Sequence, residues 1–180
     1  MAVAKWLLFT YRLASEPSTK RVLVWRRLKR LGALQLHDGG YLLPRTPRTL
    51  EQLQWLQAEV DELGGEASLW EASPLPPGRQ GVYEAQFNEQ LAPSYGRVAA
   101  AAQDVLARLR REGATVEALC QCEAAYHAAS REYLALRSTD YLGSPAGGAA
   151  RAALEECSVA LREAVEGQHA FRRPEEGSNG

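Results

Sequence analysis

The chain has 180 residues, 46% of them hydrophobic and 24% charged. That is an ordinary globular composition, and it excludes a disordered, collagen-like or mucin-like chain. Its 21 Lys and Arg against 22 Asp and Glu give a formal net charge of −1, which taken alone argues against a nucleic-acid partner, and its length suits one domain or two small ones.

Residues 5–13 (KWLLFTYRL) place Leu7, Phe9, Tyr11 and Leu13 on one face and Trp6, Leu8 and Thr10 on the other. Apolar groups on both faces predict a central strand. Ser15-Glu16-Pro17 reads as a helix start, and Val24, Trp25, Leu28 and Leu31 then recur at three- and four-residue spacing. They form a core stripe with Arg21 at its margin and Gly32 at its end. Trp25 borders that stripe and is expected to pack rather than to serve as a stacking platform.

Ala33–Leu36 and Tyr41–Leu43 flank His37-Asp38-Gly39-Gly40 as a hairpin. Thr46-Pro47 opens a second helix with Leu53, Leu56, Val60 and Leu63 as its buried stripe. Leu50 and Trp55 lie near its edges, and Gly64-Gly65 is its stop. Glu66–Ala72 is a fourth strand, with Ala67 and Leu69 on one face and Trp70 on the other. Strand, helix, strand, strand, helix, strand is the ferredoxin-like split arrangement.

The stretch SPLPPGRQG marks a linker over 74–81. Beyond it Phe87, Leu91, Tyr95, Val98, Ala102, Val105 and Leu109 keep a helical stripe, which Pro93 should kink or break. Leu119, Cys122, Tyr126, Ala129, Tyr133 and Leu136 form a second stripe. After a Gly-containing turn over 143–148, Leu154, Cys157, Leu161 and Ala164 form a third. The expected fold is therefore α+β: a ferredoxin-like βαββαβ domain over 1–73, an antiparallel helical domain over 82–170 and a frayed tail over 171–180.

Charge is segregated along this plan. Residues 1–48 hold ten cations against Glu16 and Asp38, a net of +8, and the remainder holds eleven against twenty, a net of −9. Such asymmetry points to an anionic partner for the basic part, or to neutralisation by the acidic part. On the first helix Arg26, Lys29 and Arg30 point away from the apolar stripe and Arg27 lies at its flank, a face suited to DNA phosphates or to plain solvation. Arg12, Arg45 and Arg48 sit at or just past strand ends, where they are candidates to converge on a small oxyanion.

Three cysteines make no disulfide framework and suit a reducing cytosol. Cys120 and Cys122 diverge by about 200° on a helix and cannot share a metal there. Cys120, Glu123 and His127 do share a face and are the candidate metal or redox set, although the expectation is that no metal or cofactor is bound. Cys122 and Cys157 fall on buried stripes, and His37 and His169 are isolated. No Gly-rich phosphate loop, nucleophile elbow, H-E-x-x-H helix or paired acid/base carboxylates occur, so an enzyme is not expected. The apolar run Trp6–Tyr11 is too short for a secretory segment, and no stretch nears the ~18 apolar residues of a membrane span. A cytoplasmic protein is expected.

The segment from Lys5 to Val60 closely resembles the amino-terminal region of ChrB-type chromate-resistance proteins, most specifically in S-E-P-S-x-x-R-V-x-V-W-R-x-L-x-R-L-G-A and the later L-L-P. The stretch from Tyr126 through RSTDYLGSP to ALEECSVAL resembles the later part of that region. The strand, basic helix, hairpin and L-L-P pattern is more distantly similar to the central domain of PaaX-type repressors and to the small CRISPR spacer-acquisition nucleases. These resemblances imply a ferredoxin-like fold, a homodimer and chromate-responsive transcriptional regulation with the basic part on DNA. Full ChrB-type proteins continue into a second domain and this chain stops near Gly180, so chromate sensing is expected to be missing here or supplied elsewhere. The nucleases carry an acidic residue at the end of the first strand, where this chain has Tyr11-Arg12-Leu13, which argues against nuclease activity. The leading expectation is a DNA-binding regulator. The alternative is a protein-interaction or oxyanion-binding accessory, chromate included, that never touches DNA.

Overall fold

The computed structural model describes residues 6–75 and 79–171 apart from Ser15, Pro17, His37 and Asp38, and of residues 169–171 only the backbone. The expectations that rest on Ser15 and Pro17, on His37-Asp38, on Pro76–Gly78, on the His169 side chain and on the tail from Arg172 lie outside the described residues. The chain divides into two compact units, residues 1–87 and 88–180.

In the first unit the elements are β1 (Trp6–Arg12), α1 (Ser18–Arg30), β2 (Leu34–Gln35), β3 (Gly40–Pro44), α2 (Pro47–Glu62) and β4 (Glu66–Ala72). The sheet runs β2-β3-β1-β4 and is antiparallel at every pairing. β1 and β2 are thus parallel with β3 inserted between them, the split βαβ unit of a ferredoxin-like fold. Leu7, Phe9, Tyr41 and Leu43 share one face of the sheet and are buried, as are Val24 and Leu28 of α1 and Leu53, Leu56 and Val60 of α2. On the opposite face Trp6 is buried beneath Phe87, ring centroids 5.5 Å apart, and Tyr83.

Helix ends follow the sequence chemistry. Thr46 caps α2 through a reciprocal pair of bonds with Thr49, and Pro47 begins the helix. Both helices of this unit end in a Schellman arrangement. Ala33 N–H donates to Leu28 O and Gly32 N–H to Lys29 O, with Gly32 at φ 72°; Gly65, Gly64 and Val60–Asp61 repeat the pattern with Gly64 at φ 78°.

The remaining helices are α3 (Arg79–Glu112), α4 (Val116–Arg137) and α5 (Pro145–Phe171). Arg79–Gly81, expected in the linker, form the first turn of α3. Pro93 does not break α3. Its cost of about 3 kcal/mol is outweighed because Leu91 and Tyr95, two residues to either side, are both buried in the core of the second unit. All three predicted stripes enter that core, led by Tyr95, Val98, Ala102, Leu119, Cys122, Leu154 and Cys157. Arg97 meets Glu132 and Arg108 meets Gln121, so α4 runs antiparallel to α3.

The α4–α5 turn is shorter than expected, because Gly147 and Gly148 belong to α5. Asp140 organises it, accepting Tyr95 O–H at 3.0 Å and the N–H groups of Gly143 (3.0 Å) and Ser144 (2.9 Å). A Cβ on Gly147 would fall 2.9 Å from Asp140 Oδ2 and 3.0 Å from the Tyr95 ring, so glycine is required there by close packing.

Candidate nucleic-acid interface

α1 carries Lys20, Arg21, Arg26, Arg27, Lys29 and Arg30 and no acid, yet buries only Val24 and Leu28. A helix held by so narrow a stripe exposes most of its circumference. Trp25 is 43% exposed, and Val22 and Leu23 are exposed beside it, which corrects the expectation that Trp25 packs in the core. Of the stripe Val24, Trp25, Leu28 and Leu31, Val24 and Leu28 alone are fully buried.

Lys20, Arg27 and Lys29 of α1 are each held differently. Lys20 Nζ donates to Leu63 O at 2.8 Å, at the carbonyl end of α2 where a cation opposes the helix dipole. Arg27 pairs with Glu59 of α2 at 3.2 Å. Lys29 Nζ lies 5.9 Å from the centre of the Trp25 ring. Arg26, Lys29 and Arg30 have no carboxylate partner among the described residues. Ser18, Val22, Arg26 and Arg30, four apart, form one row along a shallow groove of α1. Arg30 also borders a cleft of about 280 Å³ between α1 and α2, with Arg27, Gln52, Trp55 and Glu59. Trp55 is 72% exposed there. The surface is therefore a cationic helix edged by exposed indoles and pinned in orientation by Lys20 and Arg27.

The other candidates do not join it into one anion pocket. Arg12 closes β1 and pairs with Glu66 at 3.1 Å, and Arg45 follows β3 and pairs with Glu71. Trp6 opposes Pro44 in the antiparallel register, so Arg12 and Arg45 lie at opposite ends of the sheet, about 20 Å apart at ~3.3 Å per residue. Arg48, in the first turn of α2, sits at the Arg45 end. Glu59, Glu66 and Glu71, the three carboxylates engaged here, all belong to the first unit. Counted over that unit, eleven Lys and Arg face nine Asp and Glu, a net of +2 rather than the +8 of residues 1–48.

In the second unit Cys120, Glu123 and His127 are exposed on α4, and among the described residues no three His, Cys, Asp or Glu side chains are gathered as a metal would need. Cys122 and Cys157 are buried, and burial pushes the Cys157 thiol up to about 11 and the Cys122 thiol in the same direction. Glu59 and Trp55 are the functional neighbours that spacing along α1 could not reveal. The only sequence signal for them is that Gln52, Trp55 and Glu59 share one helical row outside the α2 stripe.

Fold and surface together define a ferredoxin-like domain with a basic helix, joined to a three-helix unit. The chain belongs to the ChrB amino-terminal family, whose model matches residues 21–173. It is also 34% identical over 83 residues to Protein ChrB of Cupriavidus metallidurans, a match that takes in 46% of this chain and 26% of that protein. The chain thus spans about a quarter of the length of that curated relative. No solved structure matches it. Among the described residues no helix is long and apolar enough to cross a membrane.

Proposed function

We propose that this chain is the DNA-contacting part of a cytoplasmic, chromate-resistance-associated transcriptional regulator, acting by binding rather than catalysis. Membership of the ChrB family supports the link to chromate resistance. The observation that carries the DNA reading is that Arg26, Lys29 and Arg30 stand on one exposed helix without carboxylate partners among the described residues, while Arg27 and Lys20 fix that helix against α2. Guanidinium and ammonium groups so held replace condensed counterions along a duplex, each adding a salt-dependent increment. Such contacts position the protein, and base-edge contacts would have to supply sequence preference. Ser18 and Val22, in the same row, offer a hydroxyl and methyl groups for that purpose.

Binding of the full chain to a labelled duplex from upstream of its own coding sequence tests this reading. Arg26, Arg27, Lys29 and Arg30 replaced together by alanine should weaken binding by ten- to a hundredfold, about 1.4–2.8 kcal/mol. Unchanged affinity in that variant would remove α1 from the interface.

A further inference from the structure

The cleft between α1 and α2 gathers three kinds of recognition chemistry in one place. α1 lines it with Arg27 and Arg30, three residues apart, and α2 with Gln52, Trp55 and Glu59, at three- and four-residue spacing. At about 280 Å³ it falls just under the ~300–1,000 Å³ of pockets that enclose a drug-sized ligand. That size suits a single ring system with one polar attachment.

Tryptophan is usually well buried, yet Trp55 is 72% exposed here. Its neighbours in the cleft are mostly polar, so it presents an aromatic face among hydrogen-bonding groups rather than extending an apolar patch. Arg27 and Glu59 pair at 3.2 Å and neutralise each other. The Arg30 guanidinium and the Gln52 amide have no side-chain hydrogen bond or ion pair among the described residues. What remains to meet a ligand is one indole face, one amide with donor and acceptor groups, and one net positive charge. Tyr83 and Phe87, at the end of the first unit, pack on Trp6 across the sheet from α1 and α2. The chain therefore leaves this unit on the side away from the cleft.

We infer that the cleft holds one unstacked nucleotide of a DNA strand, its base on Trp55, its edge against the Gln52 amide and its phosphodiester on Arg30. The inference rests on the reading of α1 as the DNA-facing helix and gives that surface a second mode of contact. Arg30 belongs both to the outward row of α1 and to the cleft, so a strand whose phosphates follow α1 brings a base to Trp55. Charge selects the strand over a free nucleotide. A phosphodiester carries one negative charge, which matches the single cation left over, whereas a phosphomonoester carries about −1.5 to −2 at pH 7. Stacking on an indole is tolerant of base identity. A base without a pairing partner is extruded at least cost, so single-stranded DNA is the substrate class.

Binding of the full chain to two labelled strands of equal length tests the proposal. One is a mixed-sequence oligonucleotide and the other is the same backbone with every site abasic. Both carry the same phosphates, so the ratio of their affinities reports the bases. The intact strand should bind about tenfold more tightly, and the ratio should hold as salt is varied. Trp55→Ala should bring the ratio close to one with an unchanged circular dichroism spectrum. Trp55→Phe, which keeps an aromatic face, should retain most of it, and Gln52→Ala should lower it about threefold. Trp70→Ala, which removes an exposed indole from β4, should leave it intact.

A ratio near one in the unaltered chain, a ratio that survives Trp55→Ala, or an equal loss in Trp70→Ala would each overturn the inference. Displacement of the intact strand by deoxyadenosine monophosphate at micromolar concentration would overturn it in favour of a free-nucleotide site. If duplex binding is lost on alanine replacement in α1 while the strand ratio is near one, the DNA reading stands and the nucleotide site falls. If neither strand nor duplex binds, both fall.

Discussion

α1 and the helices of the second unit are both amphipathic and both rich in arginine, but they pair their charges to different extents. In the second unit Arg97, Arg108, Arg110, Arg111 and Arg151 lie within ion-pair distance of a glutamate, and Arg131 on α4 and Arg162 on α5 stand without one among the described residues. On α1 the outward cations Arg26, Lys29 and Arg30 have no such neighbour among the described residues. Net charge along the sequence does not capture this difference, since the +8 of residues 1–48 falls to +2 once α2 and β4 are counted in the same compact unit. What marks a binding surface here is that three cations without a carboxylate partner stand together on one helix.

If that contrast is sound, perturbing the second unit should change stability and perturbing α1 should change binding. The largest stability loss is expected from Gly147→Val, which drives a branched side chain into Asp140 and the Tyr95 ring; about 3 kcal/mol is the scale for such overpacking, read by chemical denaturation. Asp140→Ala should follow at about 2 kcal/mol, because it strands Tyr95 O–H and the Gly143 and Ser144 N–H groups together. In the first unit, Thr46→Ala should cost about 1 kcal/mol through loss of the α2 cap.

The buried thiols give a pH-dependent check on the second unit. With the folded Cys157 thiol raised to about 11, it stays protonated while the unfolded thiol ionises from about pH 8.5. The unfolded chain then binds fewer protons, so stability should fall between those two values and be unaffected by this group at lower pH. Alkylation at pH 8 followed by mass spectrometry should modify Cys120 readily and leave Cys122 and Cys157 unmodified in the folded chain. Rapid labelling of all three would contradict the burial of that core.

Much of the fold was legible because it depends on local pattern. Two-sided apolar alternation marked β1 as central, and Gly32 and Gly64 marked helix ends through the positive φ that a Schellman turn needs. Fine placement was less legible wherever tertiary packing decides. Trp25 lies about 60° from Leu28 on a helical wheel, and nothing in the spacing says that α1 buries so narrow a stripe. Pro93 reads as a break until the burial of Leu91 and Tyr95 is known. Arg12 and Arg45 both follow strands, but only the antiparallel register places them at opposite ends of the sheet. Glu59, 32 residues beyond Arg27, is a partner no local spacing could reveal.

The central claim is that unpaired cations on α1, rather than arginine content at large, bind DNA. It is tested most directly by the salt dependence of duplex binding for two alanine triples, one at Arg26, Lys29 and Arg30 and one at Arg97, Arg110 and Arg151. Each phosphate contact contributes about 0.9 to the slope of log affinity against log salt. The α1 triple should therefore lower the slope by about 2–3, while the second leaves it unchanged, with both variants folded. Equal slopes for the two triples, or a loss confined to the second, would contradict the claim.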